Sequence, residues 1–362
     1  MNIPRIPLYQ VPTDYMSISS SDPNMSISPN TPTYLAPVLT TTIPNTVTVN
    51  SLGVYPTLPL LPTSPEYPTL PYSPNTLRTT PVNSLKVYST LNNLSRGLEK
   101  YTLIGKIGSG GQGSVYKAVN KTNGKIVALK ILNIDSRNIN EASQELSALE
   151  RISTPNCHPF LACYYDHYYD SINRQLFIEM EYIEGLVLSS WSRQFTGQEL
   201  HNKLLLVIDD LCKALSFIHS QGIIHRDVKP ENIIVTSDNI PKLIDFGISC
   251  LSTLCYTNLP CCKQDPGTLP YMAPETYSLR ESYYASDIWS LGVTIFVVAT
   301  GLYPFNFSRT QTMAEYRTVV LNNRPLALTT PNEKLNTIVN SCLNPNPLTR
   351  ITIPQIQAII RS

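Results

Sequence analysis

The sequence predicts an α+β domain preceded by a long proline-rich segment without a fold of its own. Residues 1–98 hold more than half of the 30 prolines and few charges, whereas the chain from Tyr101 onward mixes Val, Ile, Leu and charged residues. In this second part, residues 125–131 alternate as a β-strand does, and residues 141–152 carry apolar side chains at helical spacing. At roughly 260 residues, the second part is long enough to bury a core.

Bulk composition argues against several classes of protein. The formal net charge is +1, so electrostatics gives no reason to expect a nucleic acid or a membrane surface as partner. The apolar run at residues 291–299 is too short to span a bilayer. The chain does not open with the basic and apolar stretches of a secretory signal, and its cysteines lack the spacing of a secreted disulfide scaffold. We therefore expect an intracellular, cytoplasmic protein, with nuclear entry left open.

The segment 1–98 is predicted to be a disordered tail rich in Pro, Ser and Thr. From Pro56 to Pro74 a proline stands at every third position, which matches the three-residue turn of a polyproline II helix. One interpretation is a solvated low-complexity linker. The other is a stiff ligand for SH3- or WW-type modules, whose aromatic grooves bind such prolines.

A glycine-rich loop is the first motif that indicates chemistry. Gly108, Gly110 and Gly113 have the spacing G-x-G-x-x-G, and glycines let backbone N–H groups approach phosphate oxygens without a Cβ atom in the way. A dinucleotide-binding turn has the same spacing but opens a helix. Here residues 114–119 continue as a strand, and a turn at Asn123-Gly124 leads to the next strand. The hairpin favours a nucleoside triphosphate loop over a dinucleotide fold.

Lys130 lies on the strand that follows this hairpin, where an ammonium neutralises the α- and β-phosphates if an anion orients it. Glu145 is the predicted anion because it lies beside the apolar stripe of residues 141–152. Glu141 is one turn away, and Glu150 falls on another face. Taken alone, Glu145 would be interpreted as a solvated helix charge; the pairing with Lys130 favours the functional role.

The buried strand that reads LFIEMEY is expected to end at the adenine edge of the nucleotide. Met180 is expected at the back of the adenine pocket, with Glu181 and Ile183 offering main-chain contacts. Val115 and Ala128 are expected to cover the adenine face. For the apolar members of this set, plain core packing is a competing interpretation.

The catalytic motif reads IIHRDVKPENIIV at residues 223–235. Asp227 is placed to accept a hydrogen bond from an attacking hydroxyl and to hold it in line, and positioning dominates phosphoryl transfer. Lys229 is expected to stabilise the transferring group. Asn232 and Asp245, the latter opening an Asp-Phe-Gly, offer the oxygen ligands that Mg²⁺ prefers.

With all these motifs in order, the stretch 101–362 resembles a eukaryotic-type protein kinase domain. The resemblance implies a two-lobed fold: a small antiparallel β-sheet lobe with one helix at 101–182, and a larger, mainly helical lobe at 185–362. It implies ATP and Mg²⁺ as cofactors and a protein with a Ser or Thr acceptor as substrate, since Lys229 and the segment 267–275 resemble the serine/threonine branch. We expect a monomer.

The expected site residues follow from the motifs. The catalytic set is Asp227, Lys229, Lys130 and Glu145, and the metal ligands are Asn232 and Asp245. The ATP-binding set is Ile107, Gly108, Ser109, Gly110, Gly111, Gln112, Gly113, Ser114, Val115, Ala128, Lys130, Met180, Glu181 and Ile183.

The resemblance also implies supporting contacts. It assigns Glu275 an ion pair with Arg350 and places Asp287 beneath the His-Arg-Asp backbone. Phe246 is expected to pack against His225 and toward Leu149.

The segment between Gly247 and Gly267 departs from the family pattern. Where many members carry a phosphorylated Ser or Thr, this chain has Gln264 followed by Asp265. We hypothesise that Asp265 gives Arg226 a partial, permanent substitute for a phosphate. The same segment holds four cysteines, which are interpreted as unpaired thiols, a zinc site or a redox-sensitive loop: Cys250, Cys255, Cys261 and Cys262.

The function predicted is transfer of the γ-phosphoryl group of ATP to Ser or Thr hydroxyls of proteins. The alternatives are a catalytically inactive scaffold that binds through its proline-rich tail, and phosphorylation of a small molecule. The intact motifs oppose the first alternative. The resemblance opposes the second, since in the family the segment 267–275 forms a platform for a peptide.

Overall fold

The structure is a computed structural model that describes residues 98–110, 113–251, 267–279 and 281–362. The predicted tail, Gly111, Gln112 and most of the segment before Gly267 therefore lie outside the described residues.

The described residues of the first lobe form a five-stranded antiparallel sheet with one α-helix. The strands stand in the order β1-β2-β3-β5-β4, so that β4 and β1 are its edges. Their bounds are Tyr101–Gly110 (β1), Gly113–Asn120 (β2), Ile126–Asn133 (β3), Tyr164–Asp170 (β4) and Gln175–Glu181 (β5). Helix α1, Ile139–Ser153, follows β3 and buries the stripe that contains Leu146, Leu149 and Ile152. The predicted hairpin, lysine strand and helix are confirmed, with ends displaced by one or two residues.

Tight packing makes a glycine necessary where β2 begins. A Cβ atom on Gly113 would lie 2.2 Å from the carbonyl oxygen of Ile131 on β3. Because that contact is with backbone, no side-chain rotation relieves it. Gly113 therefore allows the end of the loop to lie directly on the lysine strand.

The second lobe is mainly helical, with short strands near the first lobe. Strands β6, β8 and β9 form one small sheet, and β7 pairs with β10. Their bounds are Gly185–Val187 (β6), Ile223–Ile224 (β7), Ile233–Thr236 (β8), Pro241–Leu243 (β9) and Cys250–Leu251 (β10). The helices are Leu188–Trp191 (α2), Gly197–Ser220 (α3), Pro274–Leu279 (α4), Tyr284–Thr300 (α5), Met313–Asn322 (α6), Glu333–Cys342 (α7) and Ile353–Arg361 (α8).

Among the described residues, two larger hydrophobic cores and a small contact of Ile224 with Cys250 hold these elements. The larger one joins α1 to the buried faces of α3, α5 and α7. A smaller cluster on β1, β2, β3 and β5 contains Tyr101, Ala118, Leu129 and Phe177. The larger core runs through both lobes, so it fixes α1 relative to the catalytic motif. The two-lobed α+β fold predicted from the sequence is confirmed.

None of the helices in the described part of the chain combines the length and apolar character that crossing a membrane requires.

Candidate active site

Lys130 on β3 joins two carboxylates from different parts of the fold. Its Nζ lies 2.6 Å from Oε1 of Glu145 on α1 and 3.0 Å from Oδ1 of Asp245. Lys130 and Glu145 are 7% and 2% exposed. Burial by itself disfavours the ammonium, but these two carboxylates outweigh it and raise the pKa of Lys130, which stays charged. Burial likewise opposes ionisation of Asp245, yet the neighbouring ammonium lowers the pKa of its carboxyl. The predicted pairing of Lys130 with Glu145 is confirmed as a contact.

A second set of contacts surrounds Asp227 in the loop between β7 and β8. The Oδ2 atom of Asp227 lies 2.7 Å from Nζ of Lys229 and accepts a hydrogen bond of 2.8 Å from Nδ2 of Asn232. Its Oδ1 atom accepts from the Thr268 hydroxyl at 2.7 Å, and Nζ of Lys229 donates to the same hydroxyl at 2.6 Å. A carboxylate held by three neighbours has a fixed orientation, as a group that positions a substrate hydroxyl requires.

Backbone contacts connect these two sets. The amide of Ile244, directly before Asp245, donates to the carbonyl of Asn232 at 2.9 Å. Asn232 also binds Asp227, and Asp245 binds Lys130. The predicted ammonium, the two predicted metal ligands and the predicted carboxylate therefore belong to one connected network between the lobes.

The Asp-Phe-Gly segment is held from behind by aromatic packing. The rings of Phe246 and His225 meet edge to face, with centroids 4.9 Å apart. Phe246 and Leu149 of α1 are buried members of the same core. The contact of Phe246 with His225 is confirmed, and α1 shares this core with the Asp-Phe-Gly segment.

His225 is neutral by both burial and hydrogen bonding. Burial lowers the pKa of its ring. Its Nδ1 atom faces the amide of Asp227 at 3.3 Å, and its Nε2 atom faces the carbonyl of Ile244 at 3.1 Å. A neutral ring that accepts at Nδ1 and donates at Nε2 satisfies both contacts, so we assign that tautomer.

Asp287 at the start of α5 supports the catalytic loop from below. Its carboxylate accepts hydrogen bonds from the amides of His225 at 2.9 Å and Arg226 at 2.8 Å. The predicted support of the His-Arg-Asp backbone by Asp287 is confirmed. Nε2 of His219 on α3 lies 2.8 Å from the same carboxylate.

A buried ion pair holds the C-terminal end of the segment 267–275. Nη1 and Nη2 of Arg350 lie 2.7 and 2.9 Å from the two carboxylate oxygens of Glu275. The hydroxyl of Ser286 donates to the same carboxylate at 2.8 Å. The predicted pair is confirmed, and its bidentate geometry is the stronger form of such a contact.

The predicted adenine residues lie next to one another on the sheet. Val115 pairs with Lys130, and Ala128 pairs with Met180. The amide of Glu181 is already bonded to the carbonyl of Cys163 at 2.8 Å. Glu181 can therefore serve an adenine only through its carbonyl oxygen.

The remaining predicted nucleotide residues lie around the glycine loop and beyond β5. Ile107 is half exposed at the end of β1, and Ile183 is buried after β5. Gly108 and Ser109 pair with Val115 and Ser114 across the hairpin.

The donor set fits the predicted nucleotide and cation. Nδ2 of Asn232 donates to the carbonyl and to the carboxylate of Asp227, so its side-chain oxygen Oδ1 is the atom that could serve as a neutral ligand. The lowered pKa of Asp245 keeps it an anion, and hard oxygen ligands of this kind suit Mg²⁺. The ammonium of Lys130 supplies positive charge for phosphate oxygens. ATP with Mg²⁺ is therefore consistent with these side chains.

Sequence reasoning missed two side chains of this network, Thr268 and His219. In the sequence Thr268 stands out only as a member of the segment 267–275. A hydroxyl directly after Gly267 is nevertheless a signal for a contact with the catalytic loop. His219 lies in the last turn of α3, next to the buried Ile218. No motif in the sequence marks it as a partner of Asp287.

The hypothesis on Asp265 and three of the four clustered cysteines concern residues outside the described part. The fourth, Cys250 on β10, is disulfide-bonded, so its interpretation as an unpaired thiol is wrong.

Comparison with known proteins gives consistent matches. A family model described as protein kinase domain matches residues 101–359. Mitogen-activated protein kinase kinase 9 of Arabidopsis thaliana is 31% identical over 273 residues, which cover 72% of this chain and 83% of that protein. A probable serine/threonine-protein kinase of Clostridium perfringens is 34% identical over 222 residues, covering 59% of this chain and 31% of its own length. Serine/threonine-protein kinase PknE of Mycobacterium bovis is 31% identical over 220 residues, which cover 60% of this chain and 37% of that protein. This chain thus spans less than two fifths of either bacterial relative.

Proposed function

This chain belongs to the protein kinase family, and on that premise we propose that it transfers the γ-phosphoryl group of ATP to Ser and Thr hydroxyls of protein substrates. The observation that carries the proposal is the connected network of Lys130, Asp245, Asn232 and Asp227, in which Lys130 contacts Asp245, Asn232 contacts Asp227, and the backbone amide of Ile244, next to Asp245, is bonded to the carbonyl of Asn232. Two relatives named as serine/threonine kinases support the acceptor class.

In this proposal each side chain has one task. Lys130, oriented by Glu145, neutralises phosphate charge, and the glycine loop covers the phosphates with backbone N–H groups. Mg²⁺, held by Asn232 and Asp245, would neutralise charge that develops on the phosphate oxygens. Asp227 accepts the hydrogen bond of the substrate hydroxyl and holds it in line.

The segment whose sequence resembles the serine/threonine branch contacts the catalytic loop through Thr268. Its hydroxyl bridges Asp227 and Lys229 at 2.7 and 2.6 Å. This bridge brings the segment after Gly267 against the carboxylate of Asp227. The inactive-scaffold alternative finds no support among the described residues, since each side chain needed for transfer is present and in contact.

The domain boundaries and the other partners are part of the proposal. We propose a tail at 1–98, a first lobe at 101–182 and a second lobe at 185–362. The end of β5 at Glu181 and the start of a separate sheet at Gly185 support the division of the lobes. Binding of SH3- or WW-type modules to the tail, a monomeric state and a cytoplasmic location stay predictions.

The test is a peptide kinase assay with the full chain, ATP and Mg²⁺. Matched peptides that differ only in a Ser, Thr or Tyr acceptor are offered to wild type and to Asp227→Asn. We expect label on Ser and Thr peptides and a loss of at least about 100-fold in the variant. Asp238→Asn, the same change in an exposed turn, is the control and keeps wild-type activity. Equal labelling of Tyr peptides would contradict the acceptor class, and full activity of Asp227→Asn would contradict the assigned site.

A further inference from the structure

Cys157 and Cys163 form a disulfide in the loop that joins α1 to β4. Their Cα atoms are 5.4 Å apart, which lies within the usual range for a bonded pair. Cys157 is exposed, whereas Cys163 is 7% exposed. The pair therefore has one cysteine exposed to solvent and one that is buried in the domain.

The loop enclosed by this bond is attached to the strand that leads to Asp245. Leu161 pairs with Leu243 of β9 in a parallel bridge. The amide of Leu243 donates to the carbonyl of Phe160 at 2.9 Å, and the amide of Ala162 donates to the carbonyl of Leu243 at 3.0 Å. Leu243 stands two residues before Asp245, so a change in the loop reaches the metal-binding carboxylate through one short strand.

The same loop is attached to the segment predicted to bind adenine. The carbonyl of Cys163 accepts from the amide of Glu181 at 2.8 Å, and the amide of Cys163 donates to Oε2 of Glu181 at 3.2 Å. Oε1 of Glu181 also lies 2.8 Å from Nζ of Lys242 on β9. A bonded cysteine thus touches the connection between the lobes and, through Lys242, the strand before Asp245.

We propose that Cys157 and Cys163 are a reversible oxidative modification site whose state sets nucleotide affinity. The bonded form holds the loop, and with it Glu181 and Leu243, in one arrangement. The open form releases the loop from that constraint. The effect on nucleotide rests on the proposed function, but the thiol chemistry does not.

Exchange with a small disulfide such as oxidised glutathione balances the chemistry. The thiolate of the exposed Cys157 attacks one glutathione sulfur and expels the other glutathione as a thiolate, which takes up a proton. The thiolate of Cys163 then attacks the Cys157 sulfur and expels the second glutathione. Two protein thiols are oxidised, and one glutathione disulfide is reduced to two thiols. Exposed disulfides that close short loops are the readily reduced kind.

The thiol chemistry is tested by mass spectrometry. Both cysteines lie on one tryptic peptide, residues 152–174, so the bond is seen as the loss of two hydrogens from that peptide. The native full chain is equilibrated with mixtures of reduced and oxidised glutathione before trapping and digestion. We expect the bond to form under oxidised glutathione and to open under reduced glutathione. A bond that stays closed in excess reduced glutathione, or that never forms, would overturn the proposal.

The effect on the site is tested by binding of a fluorescent ATP analogue in both states. We expect affinity to fall at least about twofold on reduction, and Cys157→Ser to show the weaker affinity under both conditions. The control is Cys342→Ala, which removes a buried free thiol and keeps the wild-type response. Equal affinities of the two wild-type states, or an unchanged response in Cys157→Ser, would overturn the coupling. Absence of nucleotide binding in both states would instead overturn the proposed function and the coupling together, while the peptide result would stand.

Discussion

The Lys130 ammonium contacts the Glu145 carboxylate at 2.6 Å, and it contacts Asp245 at 3.0 Å with the same nitrogen. Helix α1, strand β3 and the Asp-Phe-Gly segment are therefore joined at one atom. If α1 moved away, Lys130 would lose its contact with Glu145, the anion that orients it. The network of contacts that extends to Asp227 would then no longer include α1. The position of α1 is thus a condition for a working site.

Glu145→Gln tests this condition. The amide keeps the shape and one hydrogen bond but removes the negative charge that orients the ammonium, so kcat/KM for ATP should fall about 100-fold. Steady-state kinetics with varied ATP measure this. Glu141→Gln makes the same change one turn earlier on an exposed position of α1 and should leave the kinetics as in wild type. Similar losses of kcat/KM in both variants would show that the total negative charge of α1, rather than the ion pair of Glu145 with Lys130, determines activity.

Thr268→Val removes the hydroxyl that bridges Asp227 and Lys229. Two hydrogen bonds to charged groups are lost, so kcat should fall about 10-fold or more. KM for ATP should change little, because Thr268 contacts Asp227 and Lys229 and not Lys130 or Asp245, the residues assigned to phosphate and Mg²⁺. Thr268→Ser restores the hydroxyl and should recover most of kcat. A loss that appears only in KM for ATP would argue against this assignment.

Arg350→Met breaks the buried pair with Glu275. The carboxylate is 4% exposed and would be left without its cation, so the free energy of unfolding should fall by about 3–5 kcal/mol. Urea unfolding followed by fluorescence measures the change. Arg361→Met, at the exposed C-terminal end of α8, is the matched control and should change stability by less than about 0.5 kcal/mol. The double variant Glu275→Leu with Arg350→Met should recover part of the loss, since no buried charge remains.

The buried ring of His225 predicts a pH dependence of stability. Burial lowers its pKa in the folded protein, whereas an unfolded histidine titrates near about 6.5. Below that pH the unfolded chain binds a proton that the native ring does not, so stability is full above about pH 7 and falls as the pH drops toward 5. Urea unfolding at several pH values should give a steeper fall for wild type than for His225→Phe. Parallel curves for the two proteins would contradict the assignment of a neutral ring.

Much of the site could be predicted from the sequence because its groups lie on short segments with fixed internal spacing. Asp227, Lys229 and Asn232 fall within six consecutive positions, and the strands on either side hold that loop. The alternating pattern of the two strands on either side of the Asn123-Gly124 turn likewise determined the hairpin. For helix α1, apolar spacing alone indicated which face is buried. Local chain geometry therefore decided these features, and their bounds moved by only one or two residues.

The tertiary structure decided what depends on groups far apart in the chain. It brought Glu145 rather than Glu141 or Glu150 to Lys130, attached Thr268 to Asp227, and bonded the amide of Glu181 to Cys163. Helical spacing indicated Glu145, and packing confirmed it. The other two contacts do not follow from spacing along the chain, because they are set by how the lobes pack on one common core. The sequence by itself determined which chemical groups are present and the local elements that carry them. Packing of α1 and the second lobe against that core decided which of those groups meet.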